Sequence, residues 1–217
     1  MAAKLSDLGF SKGIIVETIV TTYNDDEGSN AAPMGTIMLN EQQLAIDFFN
    51  STSTFRNVKA RKCAVVNLTF NIDVFYKTAF KETNPYCKLP QEWFVPSKVV
   101  NAPNLILADA TIDATVGELT PIGAQRTRAL LNVQRLSAKQ EYPKVYCRAF
   151  GATVEAIIHA TRVKTFVNDE KKQMNVSKLL QMIENCNDVV NRVAPDSAYS
   201  AVMVDLTKRV NSWLVRK

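Results

Sequence analysis

One histidine, four scattered cysteines and no long apolar run set the first limits on this chain of 217 residues. His159 stands alone, so any Ser-His-Asp arrangement would have to use it, and no nucleophile elbow accompanies it. Cys63, Cys87, Cys147 and Cys186 form no CxxC pair, and with a single histidine they offer no zinc-ligand spacing. They read as reduced thiols of a cytosolic protein, with no metal. No stretch approaches the roughly 18 apolar residues of a membrane span. Residues 1–9 lack the apolar core of a signal peptide. The expectation is therefore a cytoplasmic chain with no membrane partner. Neither GxGxxG nor GxxxxGK(S/T) occurs, which removes support for a Rossmann or P-loop nucleotide site.

What is present is enough apolar material for a folded body. Hydrophobic residues make up 47% of the chain, which suits one sizeable core, or a core with a smaller appendage. The net charge of +5 permits an anionic ligand or nucleic acid without choosing between them. Its distribution says more. Between Phe48 and Ile72 the charged residues are Arg56, Lys59, Arg61 and Lys62, with no acid among them. This makes a local positive field beside a run of hydroxyls.

Residues 13–22 are rich in β-branched side chains and end in an Asn/Asp/Gly cluster, a strand-and-hairpin signal. Residues 35–39 read as the return strand and 44–49 as a third. Residues 51–62 change period: a hydroxyl cap comes first, then Phe55, Val58 and Lys59 at helical spacing, then Arg61 and Lys62 in the last turn. Residues 64–70 form a buried type of strand. Pro85, Pro90, Pro96 and Pro103 punctuate a loop-rich excursion that holds Tyr86, Trp93 and Phe94. Residues 108–119 alternate as a strand. Residues 125–140 carry both periods, and the Arg/Thr alternation favours a strand. From Tyr146 the helical period takes over, with stripes through Val154 and Ile157, through Leu179 and Ile183, and through Val202 and Leu206. Asp196 or Ser197 is a candidate cap for the last of these helices. The chain reads as a β-rich domain over residues 1–142 and a helical domain over 143–217.

Two clusters carry chemistry. Ser51, Thr52, Ser53 and Thr54 bring hydroxyls to a helix N-terminus, where free backbone N–H groups and a partial positive charge favour a phosphate. Arg56 adds a fork for phosphate oxygens, with Lys59 as an alternative. A capped, solvated basic helix would show the same pattern. The second cluster is Asn30-Ala31-Ala32-Pro33-Met34-Gly35. Its small residues leave the backbone approachable by a flat ring, Pro33 withholds a ladder donor, and Met34 offers a soft contact. An ordinary edge strand with a core methionine also fits. Asn67, in Val65-Val66-Asn67, is positioned to meet a ligand from a neighbouring strand.

In order, these segments resemble the FMN-binding split barrels of the flavin-reductase-like and pyridoxamine-oxidase-like groups. The closest likeness is to a family of uncharacterised archaeal and bacterial FMN-binding proteins of this length. Residues 17–21, 30–35, 53–57, 65–67 and 148–156, with Thr161-Arg162, carry it. The resemblance implies a mixed α and β fold, a six-stranded split β-barrel with a helical C-terminal subdomain. It implies FMN at a homodimer interface, with Ala32, Pro33, Met34 and Gly35 facing the ring. Ser51, Thr52, Ser53 and Thr54 would hold the phosphate together with Arg56 or Asn57. Asn67 and Asp73 would lie near the ring or ribityl chain. Pyridoxamine-oxidase-like members carry arginine near the position of Gly35; its absence argues against vitamin B6 chemistry.

Three functions follow from these readings. The first is an FMN-dependent oxidoreductase, with Tyr76 and Lys77 as rim candidates and the Pro-rich excursion as a cover. The second is a flavin carrier or sensor without turnover. The third, weaker because the basic residues cluster on one helix, is a nucleic-acid-binding barrel.

Overall fold

The computed structural model describes residues 4–139 and 147–215. The expected domain boundary between residues 142 and 143 lies outside the described residues. The chain forms two compact units, Met1–Phe70 with Phe80–Glu141, and Asn71–Ala79 with Tyr142–Lys217.

The first unit is built on strands β1 (Ile15–Tyr23), β2 (Ser29–Asn40), β3 (Gln43–Phe49), β4 (Cys63–Leu68), β7 (Ala110–Pro121) and β8 (Arg126–Ala138). They close into an antiparallel barrel in the order β1-β2-β3-β8-β7-β4. Residues 125–140 are thus strand for most of their length, paired with β7 and β3. The short β5 (Phe94–Pro96) and β6 (Pro103–Leu105) make a separate two-stranded sheet within the Pro-rich excursion. Helix α1 (Ser53–Arg61) joins β3 to β4.

Alternation explains the barrel. Val20, Met38, Leu44, Ile46, Ala64, Val66, Ile112 and Leu131 meet in one buried cluster, which Phe55 and Val58 of α1 join. The hairpin between β1 and β2 turns through residues 24–28, where the Gly28 N–H donates to Asp26 Oδ1 at 3.0 Å. At Asp47 and Arg128, paired across β3 and β8, two hydrogen bonds of 2.6 and 2.8 Å make a bidentate ion pair. That guanidinium holds the Asp47 carboxyl below the usual carboxylate range.

One ladder is incomplete. β2 pairs with β1 from Ser29 to Ile37, but with β3 only between Thr36 and Asn40. Beyond Ile46, β3 continues beside β8 alone. Residues 29–35 therefore belong to a strand with one partner, and the barrel wall is split there.

The outside of β1 and β4 is covered by the excursion. Asn67 is fully buried, and its amide donates to Ile19 O, Thr21 Oγ1 and Val65 O at 2.9, 2.9 and 3.2 Å. Its Oδ1 accepts from the Leu105 N–H at 2.9 Å. Thr21 Oγ1 donates to Pro103 O. Val100 and Ala102 pack on Cys63 and Val65 beneath this tie.

The second unit contains α2 (Ile72–Ala79), α3 (Arg148–Phe166), α4 (Gln173–Val193) and α5 (Ala198–Val215). The last three follow the expected stripes. Ser197 caps α5 by accepting from the Ser200 N–H at 3.3 Å, and Ser200 Oγ accepts in return from the Ser197 N–H at 3.0 Å. Helix α2 is an addition to the sequence reading. Asn71 Oδ1 accepts from the Asp73 and Val74 N–H groups, and Ile72, Phe75 and Tyr76 are buried. Tyr76 donates to Asp205 at 2.5 Å, and Arg209 donates to both at 2.8 Å. Burial, reinforced by Asp205, pushes the Tyr76 phenol far above its ordinary range. No helix among the described residues is long and apolar enough to cross a membrane.

Two outcomes follow. Asn67→Ala strips several buried backbone groups of partners and should cost about 2–4 kcal/mol, read from chemical denaturation. In the second unit, His159 is buried and its Nδ1 has no partner among the described residues. Burial lowers its pKa below 6.5. Its stabilising contribution is complete above the unfolded-state value of 6.5 and is lost as pH falls below that toward the depressed folded value. Thermal melts of His159→Leu should flatten this dependence between about pH 7.5 and 5.5; an unchanged slope would assign the dependence to other groups.

Candidate functional site

The split in the wall exposes the residues that sequence marks. Ala32, Pro33, Met34 and Gly35 are all half-buried on the single-partnered part of β2. Pro33 lacks an N–H, and Met34 packs partly on the barrel core. Gly35 lies beside Ile15, whose Cγ2 would stand 2.8 Å from an added Cβ. Ile15 is 62% exposed, so that side chain has room to move.

Helix α1 begins where hydroxyls are dense. Thr52 is the cap, its Oγ1 accepting from the Phe55 N–H at 3.3 Å and donating to Phe49 O at 2.9 Å. Ser51 and Arg56 are exposed, and Arg56 donates to Ser53 Oγ at 3.0 Å. This leaves a hydroxyl-rich helix start with one guanidinium on its outer side. Thr54 and Asn57 turn inward and are buried.

The inward residues tie the helix to the split strand. Asn30, 2% exposed, donates through Nδ2 to Thr22 Oγ1 at 3.0 Å and to Thr54 Oγ1 at 3.1 Å. Asn57 donates to Thr22 Oγ1 and Asn24 Oδ1, both at 2.9 Å. Arg61 donates to Asn24 O at 2.6 Å and to Glu27 at 2.7 Å. The open strand and the helix start are thus two sides of one place, joined by a buried amide. Lys81, from the 3-10 turn Lys81–Thr83, reaches the same joint and donates to Asn30 Oδ1 at 2.5 Å. Nothing in the sequence around Lys81 distinguishes it from a solvated lysine, so sequence reasoning misses it.

Other candidates fall elsewhere. Asn67 stands behind the wall with its amide satisfied by protein groups. Asp73 opens α2 in the second unit, 3.3 Å from Lys77 Nζ. Tyr76 is engaged with Asp205 and Arg209 in that unit. Tyr86 is 94% exposed. A cleft of about 390 Å³ opens between β5–β6 and the ends of β7 and β8, lined by Val95, Asn104, Asp113 and Arg135 among others. None of the sequence-marked residues lines it. Among the described residues no group of three or more His, Cys, Asp or Glu is arranged to hold a metal.

Chemically, the arrangement offers an approachable strand of small residues beside an anion-favouring helix start. Arg61 is engaged by Glu27, which thins the basic row expected for a nucleic-acid face.

A crystal structure of an FMN-bound protein from Methanosarcina mazei is 24% identical, covering 95% of this chain and 99% of that one, with a TM-score of 0.74. The 2-nitrobenzoate 2-nitroreductase of Pseudomonas fluorescens matches at 16% identity over 61% of this chain and 69% of its own, with a TM-score of 0.49. Flavoredoxin of Desulfovibrio vulgaris matches at 14% identity over 64% and 78%, with a TM-score of 0.46. No curated protein matches the sequence. The first likeness shows a shared fold, the six-stranded split barrel with accompanying helices. Residues 16–156 match the N-terminal domain of the protein family of unknown function DUF447, and the chain belongs to that family.

Proposed function

We propose that this protein binds FMN at the split beside β2 and the start of α1, and serves as a flavin-dependent oxidoreductase. One observation carries the reading: the single-partnered residues 29–35 and the hydroxyl-rich start of α1 are joined through Asn30 and Thr54 into one site. A flavin mononucleotide needs both parts, a flat wall for its ring and aimed donors for its phosphate. The family relative from Methanosarcina mazei, described as FMN-bound, supports the same assignment.

The residues fit the group. Ala32, Pro33, Met34 and Gly35 form the ring wall, where small side chains let the backbone approach. Ser53 and the free N–H groups of the first turn receive the phosphate, with Thr52 fixing the cap, Ser51 at the rim and Arg56 as its fork. Thr54 and Asn57 act from beneath, holding the helix start in place. When bound, FMN supplies the electron-carrying chemistry; the protein supplies position, shape and electrostatics. Ile15, 62% exposed beside Gly35, and its chain neighbour Ile14, 58% exposed, offer apolar surface to a second copy of the chain, which supports a homodimer with the flavin near the interface.

The test is the visible spectrum of freshly purified protein, with the released ligand identified chromatographically and the mass measured by light scattering. A yellow dimer releasing FMN is expected. A colourless protein that fails to take up added FMN would sink the reading. Oxidation of NADH or NADPH with an added acceptor then separates turnover from a carrier or sensor role.

The two halves of the site separate by variant. Ser53→Ala with Arg56→Ala should weaken FMN about tenfold or more while leaving riboflavin, which lacks the phosphate, nearly unchanged. Gly35→Val should weaken both ligands alike. A double variant that loses both equally would show that α1 does not contact the phosphate.

A further inference from the structure

The charge at the joint has no counter-charge among the described residues. Lys81 is half-buried and its ammonium donates to the neutral amide oxygen of Asn30 at 2.5 Å. No carboxylate pairs with it among the described residues, whereas Arg61, Arg128 and Arg209 each have one. Burial holds the lysine below its usual range, with no opposite charge to raise it. On the same turn, Thr83 Oγ1 is buried without a partner among the described residues. A buried cation facing only neutral groups is costly, and is retained where something else brings the anion.

The direction of the hydrogen bonds leads from Lys81 to the N-terminus of α1. Lys81 donates to Asn30 Oδ1, and Asn30 Nδ2 donates to Thr54 Oγ1. Thr54 is the second residue of α1, at the helix start. Because its oxygen accepts from Asn30, its own O–H is left to donate. Each donor in this short chain polarises the next, so positive charge on Lys81 strengthens donation at the N-terminus of α1. Arg56 holds the opposite, solvent side of the same turn.

We propose that Lys81 is the buried counter-charge of the ligand's phosphate, acting through Asn30 and Thr54 as a positioning residue that selects a phosphorylated flavin over an unphosphorylated one. This inference rests on the flavin reading and adds to it the source of discrimination for the phosphate. Lys81 works from inside the first unit, where its charge is less screened than that of Arg56 in solvent. Its contribution should therefore persist in salt that weakens the contribution of Arg56.

The test is binding of FMN and of riboflavin to the full chain and to Lys81→Met, followed by flavin fluorescence quenching at about 0.05 and 0.5 M salt. Methionine keeps the length and removes the charge. The expected result is a loss of about tenfold or more for FMN, at both salt levels, with riboflavin unchanged within about twofold. Equal weakening of both flavins would assign Lys81 to fold maintenance and overturn the proposal, as would unchanged FMN binding. Lys81→Arg should recover part of the preference for FMN; no recovery, with Lys81→Met still selective, would place the effect in shape rather than charge and overturn it as well. A wild-type protein that binds neither flavin would overturn the flavin reading itself, and this inference with it.

Discussion

The amide of Asn30 is the joint on which the first unit's site depends. It accepts from Lys81 and donates to Thr22 and Thr54, so it connects a hairpin, a helix and a distant turn at one buried point. Residues 29–35 of β2 have no ladder to β3, and a strand in that condition frays unless something else fixes it. Asn30 fixes its beginning, and the β3 ladder from Thr36 onward fixes its end. Between those two anchors the chain is held in shape while one edge stays free of a neighbouring strand. A site made from backbone requires that combination of rigidity and access.

Helix α1 shows how one short segment divides its charge and its hydroxyls between two tasks. Thr54, Asn57, Phe55 and Val58 face inward, the first two into the polar joint and the last two into the barrel core. Thr52, Ser53 and Arg56 stay at the outer start of the helix. Arg61 turns to the hairpin, where Asn24 and Glu27 engage it. The basic run therefore resolves into one structural cation, Arg61, one outward fork, Arg56, and two exposed lysines, Lys59 and Lys62. A nucleic-acid groove would need those cations to act together along a surface, and the engagement of Arg61 works against it.

Much of this was legible from sequence because its signals are local. The β-branched alternation of β1, the polar turn after it, and the hydroxyl cap before α1 are each written within a few residues. Asn71 before Ile72, Phe75 and Tyr76 is an equally local cap and stripe, and it marks α2 once that short span is read at helical period. The split was legible only through the family resemblance and the edge signal of Pro33; its extent was not, since it depends on β3 leaving β2 for β8, a pairing between residues about eighty positions apart. Asn67 and Asn30 look alike in sequence, both polar residues in apolar strands. Only the docking of Leu105 on Asn67, and of Lys81 on Asn30, separates a wall fastener from a joint at the site. Lys81 itself carries no local signal, because burial of a lysine is decided by what folds over it.

The same logic separates a satisfied polar group from an uncomfortable one. Asn67 has every polar atom matched inside the protein, and it stabilises the wall without reference to any ligand. Among the described residues Lys81 has one neutral side-chain partner, so its desolvation is offset only in part by them. On the proposed reading, a phosphate at the start of α1 would supply an opposite charge, and linkage would make that contribution appear as stabilisation of the folded chain when ligand is present.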